Sequence, residues 1–167
     1  SNGNLQKANE LIKQVLKTNI DYYANDSYLA NKKINKLIKA NMACAIIMGT
    51  HLVNKKLDPR GVPATISKKI MTGILRNQLH YKGVVVTDDM DAKAMRKHST
   101  MFAAVKESVL AGNDIILYGG TFNYDPTKGA HDLNAALIKL AKQDPAFKKR
   151  VYQSYQRILK LKQQYLN

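Results

Sequence analysis

The sequence predicts an α/β fold in which about three parallel strands are flanked by helices, as in part of a (β/α)8 TIM-type barrel. Helical patterns alternate along the chain with short, almost wholly apolar runs, which is the order expected of βα units around a parallel sheet. A closed barrel needs eight strands and typically about 250 residues. The chain has 167 residues and three such runs, so we expect it to supply only part of a barrel.

The three apolar runs are the predicted strands. Residues 43–48 are almost wholly apolar, which suits a strand buried on both faces. Residues 84–86 are three valines, whose β-branched side chains favour a strand, and this run ends in two aspartates. Residues 114–118 form the third strand.

Apolar residues at spacings of three and four predict helices around these strands. Two precede the first strand, at 5–18 and about 28–40. Ser67 is predicted to cap a helix between the first two strands, and Gly112 to stop a helix between the second and third. Another helix covers 133–140, and the last runs over about 145–165. In the last helix we expect an inward face made of Phe147, Val151, Ile158, Leu161 and Tyr165.

The chain is strongly basic, with 27 Lys and Arg against 12 Asp and Glu and a net charge of +15. Such a balance steers a protein toward nucleic acids, anionic membranes or acidic cell-wall polymers, but names none of them. The densest basic group falls on the last predicted helix. We interpret it as a solvated helix face and predict no specific nucleic-acid partner, because no known binding motif or aromatic platform accompanies it. The group contains Lys148, Lys149, Arg150, Arg157, Lys160 and Lys162.

Several classes of site are not indicated by the sequence. The single Cys44 cannot form an intrachain disulfide, and its apolar neighbours suggest a small buried hydrophobe. Without a CxxC motif or a Cys/His cluster at ligand spacing, we predict no metal site and no cofactor. No run reaches the roughly 18 apolar residues of a membrane span, and residues 1–4 do not resemble a signal peptide. The compartment is not encoded.

The most informative polar residues are Asp88 and Asp89, at the end of the second predicted strand. The carboxyl ends of parallel strands are where βα folds place their active sites, so this carboxylate pair is a catalytic candidate. The alternative is that these acids cap the following segment or pair with nearby lysines. The residues alone favour neither interpretation.

Three linked motifs follow one another at residues 63–67, 74–79 and 81–90. In order and spacing they resemble the PATLS-like loop, the LR-containing helix and the GVVxSDDL-type strand of family 3 glycoside hydrolases, in the β-N-acetylhexosaminidase branch. Residues 46–51, 111–117 and 157–162 resemble further family segments. The resemblance covers about 34–164, whereas 1–30 match poorly. The whole chain, 1–167, thus looks like the carboxyl-terminal part of the family's catalytic domain.

The resemblance implies that Asp88 is the nucleophile of a retaining mechanism, which forms a glycosyl-enzyme ester that water then releases. Asp89 and Met90 would shape the substrate pocket. His51 would line the sugar pocket, with a hydrogen-bonded structural histidine as the alternative. The implied substrate is a terminal β-linked N-acetylglucosamine, as in peptidoglycan fragments.

The general acid expected for this branch is missing. The family supplies it from a histidine held by an aspartate on a loop after an earlier strand, together with a KHFPGHG-like segment, and neither motif is present. Residues 26–28 read Asp-Ser-Tyr, with tyrosine where histidine is needed, and we interpret them as a chance match. Activity is therefore expected to require the missing amino-terminal half. We expect the open sheet to be covered by that half, by self-association with a second copy of the chain, or by rearrangement of the amino-terminal helix onto the exposed side.

Two other functions remain open at this stage. A non-catalytic carbohydrate or cell-wall binding remnant would keep the fold without its acid. A basic nucleic-acid-binding domain is the third possibility, because it would account for the charge alone.

Overall fold

A computed structural model of the chain describes residues 45–119 and 126–165. The chain divides into two compact units, 1–43 and 44–167, and the described residues belong to the second. Four features of the sequence analysis lie outside the described residues. They are the helices predicted at 5–18 and 28–40, Cys44 and the Asp-Ser-Tyr segment at 26–28.

Three parallel strands form one sheet, in the order β1 (Ile46–Gly49), β2 (Val84–Asp89) and β3 (Ile115–Leu117). Each strand pairs with the next along the chain, as the predicted βα units require. The prediction of three parallel strands is therefore confirmed. Because the strands are parallel, their carboxyl ends meet at one edge of the sheet.

Five helices and one short 3-10 turn connect and cover the strands. Ser67 accepts a hydrogen bond from the Ile70 amide at 3.1 Å, so the predicted cap is confirmed. Gly112 ends the helix before β3 with a φ of 131°, a conformation that favours glycine, so the predicted stop is confirmed too. None of the described helices is both long and apolar enough to cross a bilayer. The elements are the turn Ala64–Ile66, α1 (Lys69–Gln78, of the wide π type), α2 (Lys93–Arg96), α3 (Met101–Ala111), α4 (Pro126–Gln143) and α5 (Pro145–Tyr165).

Strand β2 continues beyond its three valines through both aspartates. Asp89 pairs with Leu117 of β3, and the Met90 amide donates to the Leu117 carbonyl at 3.0 Å. The register shifts between Val86 and Asp89, where β2 advances three residues while β3 advances two. This extra residue is a bulge, a feature that locally bends a strand and re-aims its side chains.

The helices cover one face of the sheet through two buried clusters. The first lies between α1 and β2 and packs against Ile47, and the second lies beneath α2 and α3 and packs against Ile116. The other face is partly open: Ile46 and Met48, which alternate with Ile47 along β1, are 47% and 56% exposed. The buried members are Met71, Tyr81, Val85 and Ala111 in the first cluster, and Ile66, Met90, Met95, Ala104 and Val105 in the second.

The inward face of α5 differs from the predicted one. Phe147 is fully buried as expected. Val151 is 40% exposed but lines a cleft beside Phe147. Tyr165 is exposed, so its predicted inward orientation is wrong. The inward stripe instead contains Arg150 and Arg157, which reach the buried carboxylate of Asp114. Apolar periodicity could not predict this stripe, because its orientation is fixed by a charged residue 36 positions or more away.

Candidate active site

The carboxyl edge of the sheet brings together residues from all three strand ends. His51 follows β1, Asp88 and Asp89 end β2, and Gly119 follows β3. The bulge in β2 falls between Val86 and Asp89, in the stretch that contains Thr87 and Asp88. Bulges are common beside active sites, where they re-aim one side chain out of the regular alternation.

Asp88 is exposed at this edge. Its Oδ1 accepts a hydrogen bond from the Asp89 amide at 2.8 Å. Within the described residues it forms no ion pair with a lysine or arginine. One carboxylate oxygen is thus fixed by the backbone, while the group remains accessible to a ligand.

Asp89 faces the protein instead. Its Oδ1 accepts hydrogen bonds from the Asp91 amide at 2.9 Å and from the Gly119 amide at 2.8 Å. A Cβ at Gly119 would lie 2.6 Å from Asp89 Oδ2, so any larger residue there would displace this carboxylate. Asp89 therefore caps the turn after β2 and ties it to the segment after β3, as the capping alternative described. Its predicted part in substrate binding stays a prediction.

His51 connects β1 to the end of β2. Its Nε2 lies 2.8 Å from the Asp89 carbonyl oxygen, and because a carbonyl only accepts, Nε2 carries the hydrogen and donates. Its Nδ1 lies 2.9 Å from Thr65 Oγ1. Both ring nitrogens are engaged within the protein, as in a structural histidine, and the lining of the sugar pocket by His51 stays a prediction.

Met90 is completely buried in the cluster beneath α2 and α3. It directly follows the anchored Asp89, so it supports the site from below, and its side chain does not face solvent. A role in shaping the pocket, which stays a prediction, would be indirect.

Two residues that sequence reasoning missed support this edge. Thr65 is fully buried; its amide donates to the Thr50 carbonyl at 3.1 Å, and its hydroxyl lies 2.6 Å from the same oxygen. Asn113, also fully buried, donates from Nδ2 to the Thr65 carbonyl at 2.7 Å. The sequence could have indicated Thr65, because it lies inside the PATLS-like motif. No sequence pattern pointed to Asn113.

The loop between β1 and the 3-10 turn is closed by a buried carboxylate. Asp58 accepts from Arg60 Nη2 at 2.6 Å and from the Ser67 hydroxyl at 2.6 Å. The Arg60 side-chain hydrogen bonds, followed by that of Ser67, hold the pKa of Asp58 well below its usual range. The loop is therefore closed by an ionised Asp58 at neutral pH.

The opposite edge of the sheet carries a buried charge cluster. The buried carboxylate of Asp114 pairs with Arg76, Arg150 and Arg157 at 2.6, 3.1 and 2.9 Å, and accepts from the Val85 amide at 3.0 Å. Burial lowers the pKa of Arg76 and of Arg150, and the Asp114 charge opposes that effect. At the amino-terminal edge of a barrel, such a cluster serves stability.

Neither a metal centre nor a closed sugar pocket appears in the described part of the chain. No group of three His, Cys, Asp or Glu residues there could hold a metal ion. A cavity of about 540 Å³ lies between α2, α3 and α4, but Asp88 is not among its lining residues. A barrel site is assembled from all the strand ends, and the described sheet supplies three of them.

Comparison with known proteins identifies the family. The glycosyl hydrolase family 3 N terminal domain matches residues 31–161. The chain belongs to glycosyl hydrolase family 3. The family resemblance inferred from the three linked motifs is therefore confirmed.

Relatives of this family 3 chain include two hexosaminidases. The beta-hexosaminidase of Nitrosomonas eutropha is 31% identical over 71 residues, which are 42% of this chain and 20% of that protein. Beta-hexosaminidase A of Pseudoalteromonas piscicida is 33% identical over 81 residues, 48% of this chain and 14% of that protein. The chain therefore spans at most about a fifth of these relatives in the matched regions.

Solved structures of the family confirm the fold as part of a (β/α)8 barrel. The beta-N-acetylhexosaminidase from Beutenbergia cavernae matches with a TM-score of 0.64 and 31% identity, over 74% of this chain and 35% of that one. A family 3 beta-N-acetylglucosaminidase from Paenibacillus sp. matches with a TM-score of 0.62 and 31% identity, over 74% of this chain and 22% of that one.

Proposed function

We propose that this chain is the part of a retaining β-N-acetylhexosaminidase that carries the nucleophile, Asp88. The observation that supports this most directly is the contrast between two adjacent carboxylates. Asp89 is bound to two backbone amides, whereas Asp88 is exposed beside the bulge at the carboxyl edge. Membership of glycosyl hydrolase family 3 supports a role for that exposed carboxylate in glycoside hydrolysis.

In the proposed reaction, a carboxylate oxygen of Asp88 attacks the anomeric carbon, and the bond from that carbon to the leaving oxygen breaks. A proton donor protonates the leaving oxygen, and a glycosyl ester of Asp88 results. Water then attacks the same carbon, gives its proton to the deprotonated donor, and the bond from the carbon to Asp88 breaks, which releases the carboxylate. Retention follows because the carbon is inverted twice.

The described residues contain no candidate for the proton donor beside Asp88. His51 is held by Thr65 and the Asp89 carbonyl. An efficient enzyme needs such a donor, because loss of acid-base assistance typically costs about 10²- to 10⁴-fold in rate. We therefore assign the donor to the amino-terminal half of the barrel. The same half would supply the remaining strand ends around the sugar.

The proposed substrate is a terminal β-linked N-acetylglucosamine. The names of the relatives and of the similar solved structures, which are hexosaminidases and a beta-N-acetylglucosaminidase, support this choice. Peptidoglycan fragments are one natural source of such ends, and the basic charge of the chain would attract acidic wall material.

The test uses this chain joined to, or complemented by, its amino-terminal half. Asp88→Asn should lower kcat on an aryl β-N-acetylglucosaminide by several orders of magnitude, because no other group can form the ester. Asp88→Ala supplied with azide should give a glycosyl azide of inverted configuration. A mechanism-based fluorosugar should label Asp88 in the unmodified protein.

Asp89→Asn is the matched control, because it removes the neighbouring charge while the side-chain oxygen can still accept from the Asp91 and Gly119 amides. It should reduce kcat much less than Asp88→Asn and give no azide product. Near-normal turnover of Asp88→Asn, or labelling at Asp89, would contradict the assignment.

A non-catalytic carbohydrate-binding protein is the second candidate. The observation that favours it is the absence of an acid beside Asp88 in the described residues, where both ring nitrogens of His51 are already engaged. Under this hypothesis the complemented protein would bind N-acetylglucosamine oligomers without hydrolysing them. Calorimetric titration together with product analysis separates the two candidates.

A further inference from the structure

Helix α5 carries charge of one sign only. It contains six basic residues and no acidic one. Arg150 and Arg157 bind Asp114 on its inner side. The four lysines of the helix are exposed, and they define the basic part of what we call the α5 outer face: Lys148, Lys149, Lys160 and Lys162.

The same outer face carries large apolar and aromatic side chains. Tyr152 and Tyr155 are 58% and 56% exposed, and their rings stack with centroids 6.1 Å apart. Leu159 is exposed beside them. The spacing of Tyr152, Tyr155 and Leu159, at i, i+3 and i+7, places them in one stripe.

The lysines flank this stripe along its length. Lys148 lies one turn before Tyr152, and Lys162 lies one turn after Leu159. The sequence interpretation that no aromatic platform accompanies the basic group was therefore wrong. In the sequence the two tyrosines stand among polar residues. Only the folded helix shows that both are exposed on the same side.

An anionic lipid bilayer matches this combination. Interfacial helices bury an apolar stripe at the level of the headgroups while basic residues contact anionic lipids. Tyrosine is favoured at that depth because its ring is apolar and its hydroxyl is wet, and lysine stems extend toward the headgroups. Each basic residue near an anionic leaflet strengthens binding by roughly fivefold.

Nucleic acid matches the α5 outer face less well. Lysines would contact phosphates and the tyrosines could stack on bases, but Leu159 would then have no complementary surface. The face is also the convex side of a single helix, whereas single-stranded nucleic acid is normally bound in a groove. A flat bilayer contacts the whole stripe at once.

We propose that the α5 outer face docks the protein on anionic lipid bilayers. Docking of this kind requires neither Asp88 nor the proposed hydrolysis. The helix lies parallel to the bilayer surface, with the Tyr152–Leu159 stripe at headgroup depth.

The experiment measures flotation of the full chain with vesicles of phosphatidylcholine alone and with vesicles in which part of it is replaced by phosphatidylglycerol. The chain should float with the anionic vesicles only, and less so as salt is raised. Lys148→Glu with Lys149→Glu should weaken binding at least about tenfold. Tyr152→Ser with Tyr155→Ser should also weaken it, whereas Tyr152→Phe with Tyr155→Phe should keep it.

The matched charge control is Lys68→Glu with Lys69→Glu. These two adjacent lysines are exposed at the start of α1, so the change in net charge is the same. The control should float almost as well as the unmodified chain. Circular dichroism of each variant establishes that all of them fold alike.

Three outcomes would overturn the proposal. Equal loss of binding in both lysine pairs would mean that net charge, and not the α5 outer face, attracts the protein. Binding to a DNA duplex or to single-stranded RNA without binding to vesicles would favour nucleic acid. A change of oligomeric mass in the tyrosine-to-serine variant, without any vesicle binding in the unmodified chain, would assign the face to contact between copies.

Discussion

At the scale of single residues, the two adjacent aspartates at the end of β2 have separate structural roles. Asp89 is bound by the Asp91 and Gly119 amides and by its carbonyl contact with His51, whereas Asp88 accepts one local amide and is exposed. The anchoring of Asp89 fixes the backbone that carries Asp88. Positioning of this kind matters for catalysis, because a shift of about 1 Å can cost on the order of 10²-fold in rate.

Gly119→Ala tests this anchoring. The new Cβ would lie 2.6 Å from Asp89 Oδ2, so the carboxylate must move and loses its bond to the residue 119 amide. In the complemented enzyme we expect kcat/KM to fall by about 10- to 100-fold.

Gly73→Ala is the matched control, because the atom nearest to its new Cβ lies at 3.9 Å and nothing at the site is touched. Steady-state kinetics should show no loss for it. If Gly119→Ala retains full activity, the contact between Gly119 and Asp89 does not position the nucleophile.

At the scale of elements, one buried carboxylate joins the strands to two helices. Asp114 precedes β3, accepts from the Val85 amide of β2, and pairs with Arg76 of α1 and Arg150 of α5. Arg76 also donates to the Gly83 carbonyl at 2.6 Å. Three cations share one anion, so the cluster depends on the charge of Asp114.

Asp114→Asn should therefore destabilise the fold strongly. The arginines would remain partly buried beside a neutral amide, and breaking a buried ion pair by removing one partner costs about 3–5 kcal/mol. Asp132→Asn, an equal change at an exposed position on α4, should change the free energy of unfolding by less than about 0.5 kcal/mol. Urea unfolding followed by circular dichroism measures both. Similar values for the two variants would mean that the cluster contributes little.

At the scale of the whole molecule, the sheet is covered by helices on one face and partly open on the other. Ile46 and Met48 are exposed on β1, and Leu117 is exposed on β3. Parallel sheets are normally covered on both faces, and open strand edges pair readily with other chains. In a complete barrel the remaining strands close this surface.

The chain by itself should therefore lack turnover and associate with itself. We expect sedimentation to give a mass above 18.7 kDa, and assays on an activated aryl substrate to give no rate typical of a glycosidase. Met48→Lys should shift the mass toward the monomer, because a charge on an open face opposes pairing. A monomer with ordinary glycosidase turnover would contradict both expectations.

The sequence by itself determined the family, the three strands and the position of the exposed carboxylate. These are local properties: β-branched runs favour strands, glycine stops a helix, and a motif keeps its residues together along the chain. The family match over 31–161 agrees with the stretch of about 34–164 that the motifs covered. Residues 1–30 as a poorly matched segment stay a prediction.

The tertiary structure alone decided what each polar side chain contacts. The contacts that hold the fold together join residues far apart along the chain. The separation is 48 positions for Thr65 and Asn113, 30 for Asp89 and Gly119, and 43 for Asp114 and Arg157. The periodicity of apolar residues along the chain does not reveal such distant contacts. The same reason explains the outer face of α5: once Asp114 draws the arginines inward, the helix must turn its tyrosines outward, because side chains on one helix cannot be oriented independently.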